Sequence, residues 1–447
     1  MRNSITRTNA PSAYLVSLMA LASGLLAISP NADAMPSFAR QTGYSCSQCH
    51  TQSFGPNLTP LGRDFKLSGY TQGDANPKVP ALSAMIMGSL THTQKDSPEA
   101  PASGYNKNNN LTLDEASFFY AGRVMKNVGA LSQLTYDGVE DKVSLDNTDV
   151  RYAADMDVGD YLVNYGLSLN NNPTVQDLWN TTPAWGFPYT GSAVQPGIGT
   201  SALIDGNLST QVGGGSLYTM IENTLYLEGG AYASLAKNFQ KGVGVFAADQ
   251  NQIDGAAPYW RAALQKDWKG HYVQVGHYGM SANVFPGRDK SNGTDSYTDL
   301  AVDATYQYMG NPLHIFEAKT TYIYEDQNLS ATRAAGGVDS SGRTYLTTYK
   351  LNAAYTYDRT YGLTFGYNRT TGTRDMTLYP DYGANRPNSE FYTAELVYVP
   401  FGKSNTLTGS LLNLRTSLQY IGYTRFNGDG ATAQNNNTFM VNGWLAF

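Results

Sequence analysis

The chain has 447 residues, with 30 Lys plus Arg against 36 Asp plus Glu, and its formal net charge is −6. This negative balance excludes a basic nucleic-acid-binding protein, and two cysteines in such a long chain exclude a disulfide scaffold. Charged residues make up only 15% of the chain, against about 25% in a typical soluble domain. Gly (45) and Tyr (33) are abundant, a composition that is unusual for a cytosolic protein.

The first 34 residues have the pattern of a secretory signal peptide. A positively charged start precedes an apolar stretch from Tyr14 to Ile28, and Ala32 and Ala34 supply the small residues of a cleavage site. The apolar stretch is too short for a membrane anchor, and no later stretch has the 18 or so apolar residues of a spanning helix. We therefore predict that residues 1–34 are removed on export and that the mature chain is either soluble or a β-barrel.

From residue 81 onward, polar and apolar residues alternate, which is typical of strands with one apolar face and one polar face. For example, Leu300 and Val302 alternate with Asp299 and Asp303. We predict sixteen strands, near 81–93, 111–125, 128–139, 145–156, 161–169, 222–235, 238–247, 257–267, 271–282, 296–308, 312–325, 345–357, 361–371, 390–400, 410–425 and 437–447. Long loops alternate with tight turns, and the last strand ends on Phe447, as in outer-membrane barrels.

These patterns predict an all-β fold, an antiparallel transmembrane β-barrel of about 16 strands formed by residues 81–447. Its place is the outer membrane, in contact with lipid, with extracellular long loops and periplasmic termini. A soluble β-sandwich or propeller is the alternative. A propeller needs a repeat of roughly 40 residues, which the chain lacks, and a sandwich of this size should carry more charge on its polar face.

Both cysteines lie in the motif CSQCH at residues 46–50, the Cys-x-x-Cys-His pattern of covalent haem attachment. The thiols of Cys46 and Cys49 can form thioethers with the haem vinyl groups, and His50 can bind the iron as the proximal ligand. A structural zinc site would need a fourth ligand, and a redox C-x-x-C belongs near a βαβ pattern, which is missing here. We therefore predict one haem c on residues 35–80, a monohaem cytochrome segment that plugs the barrel lumen.

The sixth position of the haem iron is either open or filled by the barrel, because residues 35–80 contain no Met or His after His50. Met85 and Met87 lie on the polar, lumen-facing side of the first strand, where methionine is out of place unless something apolar packs against it. They are the candidate sixth ligands, and simple packing of the plug against the wall is the alternative. Weaker candidates are Met125, His92, Lys66 and Tyr70.

Three stretches of the chain carry a family resemblance. MPSFARQTG at 35–43, LTPLGRDFKLSGY at 58–70 and NNPTVQDLWNTTPAWGF at 171–187 resemble the fused monohaem cytochrome–porins of iron-oxidising bacteria. The resemblance implies an outer-membrane Fe(II) oxidase that takes electrons from extracellular iron and passes them to a periplasmic redox protein. It also implies that the three residues of the haem motif hold the haem, and it identifies no iron-binding site.

Two alternative functions stay open beside Fe(II) oxidation: an electron conduit of the same architecture for another donor or acceptor, and a diffusion porin with a structural haem plug. Four acidic lumen residues are expected to attract Fe²⁺, namely Glu115, Asp149, Asp299 and Asp303. Their alternative role is pairing with Arg123, Arg151, Lys319 and Arg415. The long loop 170–221 is expected on the extracellular side, as an inward cap over the haem or as a simple surface loop.

Overall fold

The computed structural model describes residues 36–73, 81–339, 342–403 and 412–447. The predicted signal peptide at 1–34 and the predicted boundary between the cytochrome segment and the barrel, at residue 80, lie outside the described residues. Within these described ranges, no helix is long and apolar enough to cross a membrane.

Sixteen antiparallel strands form one closed barrel. They are β1 Leu82–Thr93, β2 Asn110–Met125, β3 Val128–Asp137, β4 Lys142–Val158, β5 Tyr161–Asn170, β6 Val212–Ile221, β7 Leu225–Ser234, β8 Ala257–Trp268, β9 His271–Phe285, β10 Asp295–Asn311, β11 His314–Asn328, β12 Arg343–Tyr357, β13 Tyr361–Gly372, β14 Ser389–Tyr398, β15 Asn413–Arg425 and β16 Thr438–Ala446. Each strand pairs with its neighbours in chain order, and β1 pairs with β16, with Met85 opposite Ala446. This closure confirms the predicted all-β barrel and its strand number.

The helices are short and lie before the barrel or in its loops. They are α1 Pro36–Thr42, α2 Cys46–Cys49, α3 Pro60–Leu67, α4 Lys237–Gly242 and α5 Ser330–Ala334. A two-residue strand, Gln252–Ile253, pairs with the end of β9. Single helical turns occupy Pro183–Trp185, Leu203–Asn207, Pro286–Arg288, Gly383–Asn385 and Ala433–Asn436.

One predicted strand is absent and one strand was predicted as loop, so the two errors cancel in the strand count. Residues 238–247 were expected to form a strand, but α4 and a loop lie there. The side chain of Gln240, which is fully buried, donates to the carbonyls of Gln211 and Leu235 and thereby holds the helical turn. Residues 212–221 belong to the predicted long loop 170–221, but they form β6 between β5 and β7.

The barrel is polar inside and apolar outside. Along β10, Asp299, Asp303 and Gln307 are buried in the lumen, whereas Leu300 and Val302 are 43% and 51% exposed on the outer face. The same alternation recurs around the barrel, so a belt of Leu, Val, Phe and Tyr side chains faces outward. A closed barrel with such an exterior is the architecture of proteins that span the outer membrane. The chain is therefore a porin-like outer-membrane barrel, as the alternation predicted.

Loop lengths orient the barrel. Most connections on one rim are turns of two or three residues, as between β2 and β3 or between β8 and β9, and the plug segment enters at this rim. The other rim carries the long connections, the longest of which runs from β5 to β6 at residues 171–211. In outer-membrane barrels the short turns are periplasmic and the long loops extracellular. The plug therefore enters the barrel from the periplasmic rim.

Residues 36–73, the plug, pack inside the barrel against its wall. At Gly129 of β3, a Cβ atom would lie 2.2 Å from the carbonyl oxygen of Gly69 in the plug. Any side chain at this position would collide with the plug backbone, so glycine at 129 is what allows the plug to approach β3 this closely.

Gly129→Val is therefore expected to loosen the plug. Overpacking of this kind costs about 1–3 kcal/mol, so trypsin should cut at Arg63 and Lys66, which are buried in the native protein. Gly229→Val is the matched control, because a Cβ at Gly229 would have no neighbour within 4 Å. The prediction is wrong when both variants show the same pattern of cleavage.

Candidate haem site in the barrel lumen

The haem motif is held on one tight helical turn. The N–H of Ser45 donates to Oε1 of Gln48 at 2.8 Å, which closes a capping box at the start of α2. The N–H of His50 donates to the Cys46 carbonyl at 2.8 Å, and His50 then forms an antiparallel bridge with Leu58. Both cysteines and the histidine are thus presented from a rigid backbone.

Helix α3 fixes the motif from the other side. Thr59 caps the helix by accepting the N–H of Gly62 at 3.3 Å, and its own N–H donates to the Cys49 carbonyl at 2.9 Å. A Cβ atom at Gly62 would lie 2.4 Å from that same carbonyl oxygen. Only glycine therefore permits this approach, and the run LTPLGR that follows the motif has a structural purpose.

Buried polar contacts tie the plug to the wall. The Tyr70 hydroxyl donates to Asp149 at 2.7 Å, and Nη1 of Arg63 donates to Gln307 at 2.7 Å. The guanidinium of Arg63 also stacks over the ring of Tyr272, with 3.7 Å between Cζ and the ring centroid. These groups are buried, so any of them that lost its hydrogen bond would destabilise the folded protein. The contacts therefore fix the position of the plug in the lumen.

A cavity of about 430 Å³ lies beside the haem motif. Cys49 and His50 line it, as do residues of the plug, the wall strands and the long loop. The volume falls in the range of about 300–1,000 Å³ that is typical of ligand and cofactor sites. The principal apolar lining residues are Phe38, Phe54, Phe65, Met85, Met87, Phe119, Leu131, Trp185 and Trp444.

The thiols and the imidazole have environments that suit covalent attachment of a haem. Neither cysteine forms a disulfide bond, and Asn413 of β15 donates to Sγ of Cys46 at 3.2 Å. Burial raises the pKa of Cys49 to about 11, whereas reactive thiols of redox C-x-x-C motifs have a lowered pKa. Burial also lowers the pKa of His50 to about 4, so its imidazole is neutral and can bind a metal.

Two further observations bear on the identity of the site. Among the described residues, the buried Nδ1 of His50 has no hydrogen bond of normal geometry, although backbone groups of Gly55 and Asn57 lie close enough to affect the pKa of the imidazole. Across the part of the chain that the structure describes, no three His, Cys, Asp or Glu side chains are arranged to hold a metal ion. Two thiols, a neutral imidazole and an apolar cavity of this size fit a c-type haem.

The lumen wall carries apolar side chains where it faces this cavity. Phe119 and Leu131 have lumen-facing parity on β2 and β3, and Trp444 has it on β16. The ring of Trp444 meets Phe54 of the plug edge to face, with 4.6 Å between centroids. Our sequence reasoning missed these three residues, although an aromatic or aliphatic side chain at an otherwise polar lumen position was the same signal that singled out the methionines.

Met85 and Met87 both line the cavity and are buried, as their parity predicted. They differ in one respect, because Nε1 of Trp444 donates to Sδ of Met85 at 3.1 Å. No such contact involves the sulfur of Met87 among the described residues, so Met87 has the freer sulfur.

The weaker candidates are less suited to bind iron. Met125 is 60% exposed at the end of β2 and His92 bonds Asn109 on the exposed side of β1, so neither reaches the cavity. Lys66 and Tyr70 do line it. However, Nζ of Lys66 already donates to three oxygens of the long loop, and the Tyr70 hydroxyl is bonded to the wall.

The long loop folds inward rather than lying on the surface. Residues 171–182 are all buried, and the carboxylate of Asp177 accepts backbone N–H groups of Thr181 and Thr182 at 2.8 and 3.1 Å. The same carboxylate lies 3.2 Å from the guanidinium of Arg261 on the wall. Trp185, farther along the loop, borders the cavity. The loop is thus a cap on the extracellular side of the candidate haem site.

Two of the four predicted lumen acids form ion pairs, one of them with a base outside the predicted set. Asp149 pairs with Arg151 at 2.7 Å and Asp303 with Arg261 at 2.8 Å. The other predicted bases pair elsewhere, Lys319 with Glu317 and Arg415 with Glu395, while Arg123 donates to carbonyls of the plug.

Two of the acids lie apart from these pairs. Asp299 accepts the N–H of Ile204 in the long loop. Glu115 lines the cavity beside Asp146 and is hydrogen-bonded by Gln133 at 2.6 Å. Of the four predicted acids, Glu115 is therefore the one at the candidate haem site.

Sequence comparison finds no matching protein-family model and no matching curated protein. Among solved structures, the outer membrane channel DcaP of Acinetobacter baumannii is similar over 82% of this chain and 96% of that chain, with a TM-score of 0.46 and 10% identity. OprB of Pseudomonas putida is similar over 87% of this chain and 96% of that chain, with a TM-score of 0.45 and 13% identity. An anion-selective porin from Comamonas acidovorans is similar over 82% of this chain and 98% of that chain, with a TM-score of 0.43 and 12% identity. The architecture of this chain rests on its own strand pairing.

Proposed function

We propose that this barrel is an outer-membrane electron-transfer protein that oxidises extracellular Fe(II) through one c-type haem in its lumen. The observation that carries the proposal is the haem motif itself, which lines an apolar cavity of cofactor size inside a barrel. The resemblance to cytochrome–porins of iron-oxidising bacteria supports Fe(II) as the electron donor. A haem bound there would accept and release single electrons.

The residues of this chain divide the remaining tasks. Cys46 and Cys49 would hold the haem through thioethers, and His50 would bind its iron. The inward cap formed by residues 171–182 covers the extracellular side of the site, so an electron, and not the iron, would cross to the haem. Glu115 is the predicted acid that lines the cavity, so it is the acid nearest to the place where the haem would be reduced. Electrons leave towards a periplasmic redox protein at the rim where the plug enters.

The test is anaerobic reduction of the purified, detergent-solubilised protein by Fe(II), followed as growth of the α-band of the reduced haem. We expect prompt reduction by Fe(II) and the same final amplitude with dithionite. Complete reduction by dithionite without any by Fe(II) would contradict the proposal and leave a conduit for another donor or a porin with a structural plug. Absence of covalent haem from the exported protein would refute it outright.

Met87 is the residue that we propose as the sixth ligand of the haem iron, because its sulfur is free of the Trp444 contact that Met85 makes. Since a Met/His pair raises the potential, Met87→Leu is expected to lower the midpoint potential by an amount on the order of 100 mV. Met85→Leu keeps the apolar volume and is the matched control. Equal potentials in both variants and the native protein would favour the alternative that the methionines merely pack against the plug.

A further inference from the structure

An apolar groove crosses the outer face of the barrel at the extracellular rim. It has a volume of about 550 Å³ and runs across β4 to β7, with Leu169, Gly213, Gly215, Leu235 and Phe239 among its lining residues. Gly213 and Gly215 have outward parity on β6, because Val212 and Ser216 are buried in the lumen. The groove therefore faces the outer leaflet of the membrane and not the lumen.

Helix α4 forms the upper edge of the groove and is firmly held. The buried side chain of Gln240 donates to the carbonyls of Gln211 and Leu235 at 3.0 and 2.9 Å. Beyond the helix, the Val243 carbonyl accepts the N–H of Leu145 at 2.8 Å, three strands away. Phe239, half exposed, points into the groove from the helix. The groove is thus a built feature of the rim.

Three cations converge beside the same helix. Nζ of Lys237 and Nζ of Lys241 lie 5.1 and 5.2 Å from the ring centroid of Phe246. Cζ of Arg288 lies 5.7 Å from the same centroid. In the described ranges of the chain, no carboxylate oxygen lies within 4.0 Å of any of these cations. Three like charges around one ring repel one another, and a bound anion relieves that repulsion.

We propose that this groove binds a phosphorylated, acylated glycolipid of the outer leaflet. An acyl chain lies in the apolar groove against Phe239. A phosphate group lies at the other face of α4, against the cluster formed by Lys237, Lys241 and Arg288, because residues two apart on a helix point to different sides and the cationic face of an interfacial helix meets the headgroups. Charge complementarity and the position of the cluster at the lipid-facing rim select an anionic lipid over a second copy of this chain. Lysine and arginine side chains near a membrane surface recognise anionic headgroups in this way.

The phosphate contact is tested with K237E/K241E, in which two of the three charges are reversed. The probes are hexa-acylated lipid A carrying its phosphates and the same lipid after dephosphorylation, titrated into the full-length haem-loaded protein and counted by native mass spectrometry. We expect the variant to bind the phosphorylated lipid at least about tenfold more weakly, and the two proteins to bind the dephosphorylated lipid equally. The control K126E/K269E reverses two exposed lysines in turns of the periplasmic rim and should bind as the native protein does.

The acyl-chain contact is tested with Gly213→Leu, which fills the groove. A Cβ at Gly213 lies 3.0 Å from Cδ2 of Leu235, the mobile end of a flexible side chain, so the barrel should fold. Folding is checked by heat-modifiable migration on gels, and lipid retention should fall. The proposal is overturned by equal binding of phosphorylated and dephosphorylated lipid to the native protein, or by unchanged binding in K237E/K241E. Dissociation of an oligomer in Gly213→Leu without loss of lipid would also overturn it and identify a second copy as the occupant.

Discussion

His50→Ala is expected to slow the reduction of this protein by Fe(II) at least about 100-fold. Residues that only support a metal ligand change affinity or activity by about 10–100-fold, and His50 is proposed as the ligand itself. The imidazole is neutral because burial lowers its pKa to about 4, and no other histidine lines the cavity. Loss of this side chain would remove the proposed proximal ligand, whose identity is a main determinant of the potential of a haem.

Stopped-flow absorbance at the haem α-band measures this effect, with covalent haem counted separately by the pyridine haemochrome assay. His92→Ala is the matched control, because His92 is exposed on β1 and bonds only Asn109. The control should be reduced at the native rate. A native rate in His50→Ala, with full haem content, would show that another residue binds the iron.

Asp177→Ala is expected to open the lumen of the barrel. The carboxylate of Asp177 is completely buried, lies 3.2 Å from Arg261 and accepts three backbone N–H groups of its own loop. Arg261 keeps Asp303 as a partner at 2.8 Å, so the cost comes mainly from the three backbone N–H groups, each of which loses about 1–3 kcal/mol when it is buried without an acceptor. Since each 1.4 kcal/mol is a factor of ten, the population of proteins with a displaced cap should rise by at least about two orders of magnitude.

Single-channel conductance in planar bilayers measures the opening. The native protein should conduct poorly, Asp177→Ala should show frequent open events, and Asp289→Ala should behave as the native protein, since Asp289 is exposed in another extracellular loop. High conductance in the native protein would favour the diffusion porin with a structural plug.

The same carboxylate predicts how the cap responds to pH. Burial by itself raises the pKa of Asp177, but the charges of Arg261 and then Lys66 outweigh it, and the net pKa is lowered. A carboxylate with a lowered pKa stabilises the folded state above the unfolded pKa of about 3.9, and this stabilisation is lost as the pH falls through the folded value. The native cap should therefore stay closed from neutral pH down to about pH 4 and loosen only below that, a change that Asp177→Ala should not show.

The candidate site was partly readable from the sequence. The haem motif at residues 46–50 is local, and so is the parity that put Met85 and Met87 on the lumen side. The other apolar walls come from strands far apart in the chain, so Phe119, Leu131 and Trp444 meet the motif only when the barrel closes. The inward course of the long loop was left open because it depends on Arg261, a wall residue distant in sequence from Asp177.

The barrel can be predicted from the local sequence pattern alone. A strand with one face in lipid and the other in a polar lumen must alternate apolar and polar residues. This alternation is visible within each segment of the sequence, and it predicts sixteen strands. For two segments, contacts with distant parts of the chain decide the secondary structure. Residues 212–221 form β6 because the edges of β5 and β7 pair with their backbone, although their glycines suggest a loop. Residues 237–242 form α4 because the Gln240 side chain donates to the carbonyls of Leu235 and of Gln211. The contact with Gln211, which is remote in the sequence, is not encoded in any local pattern.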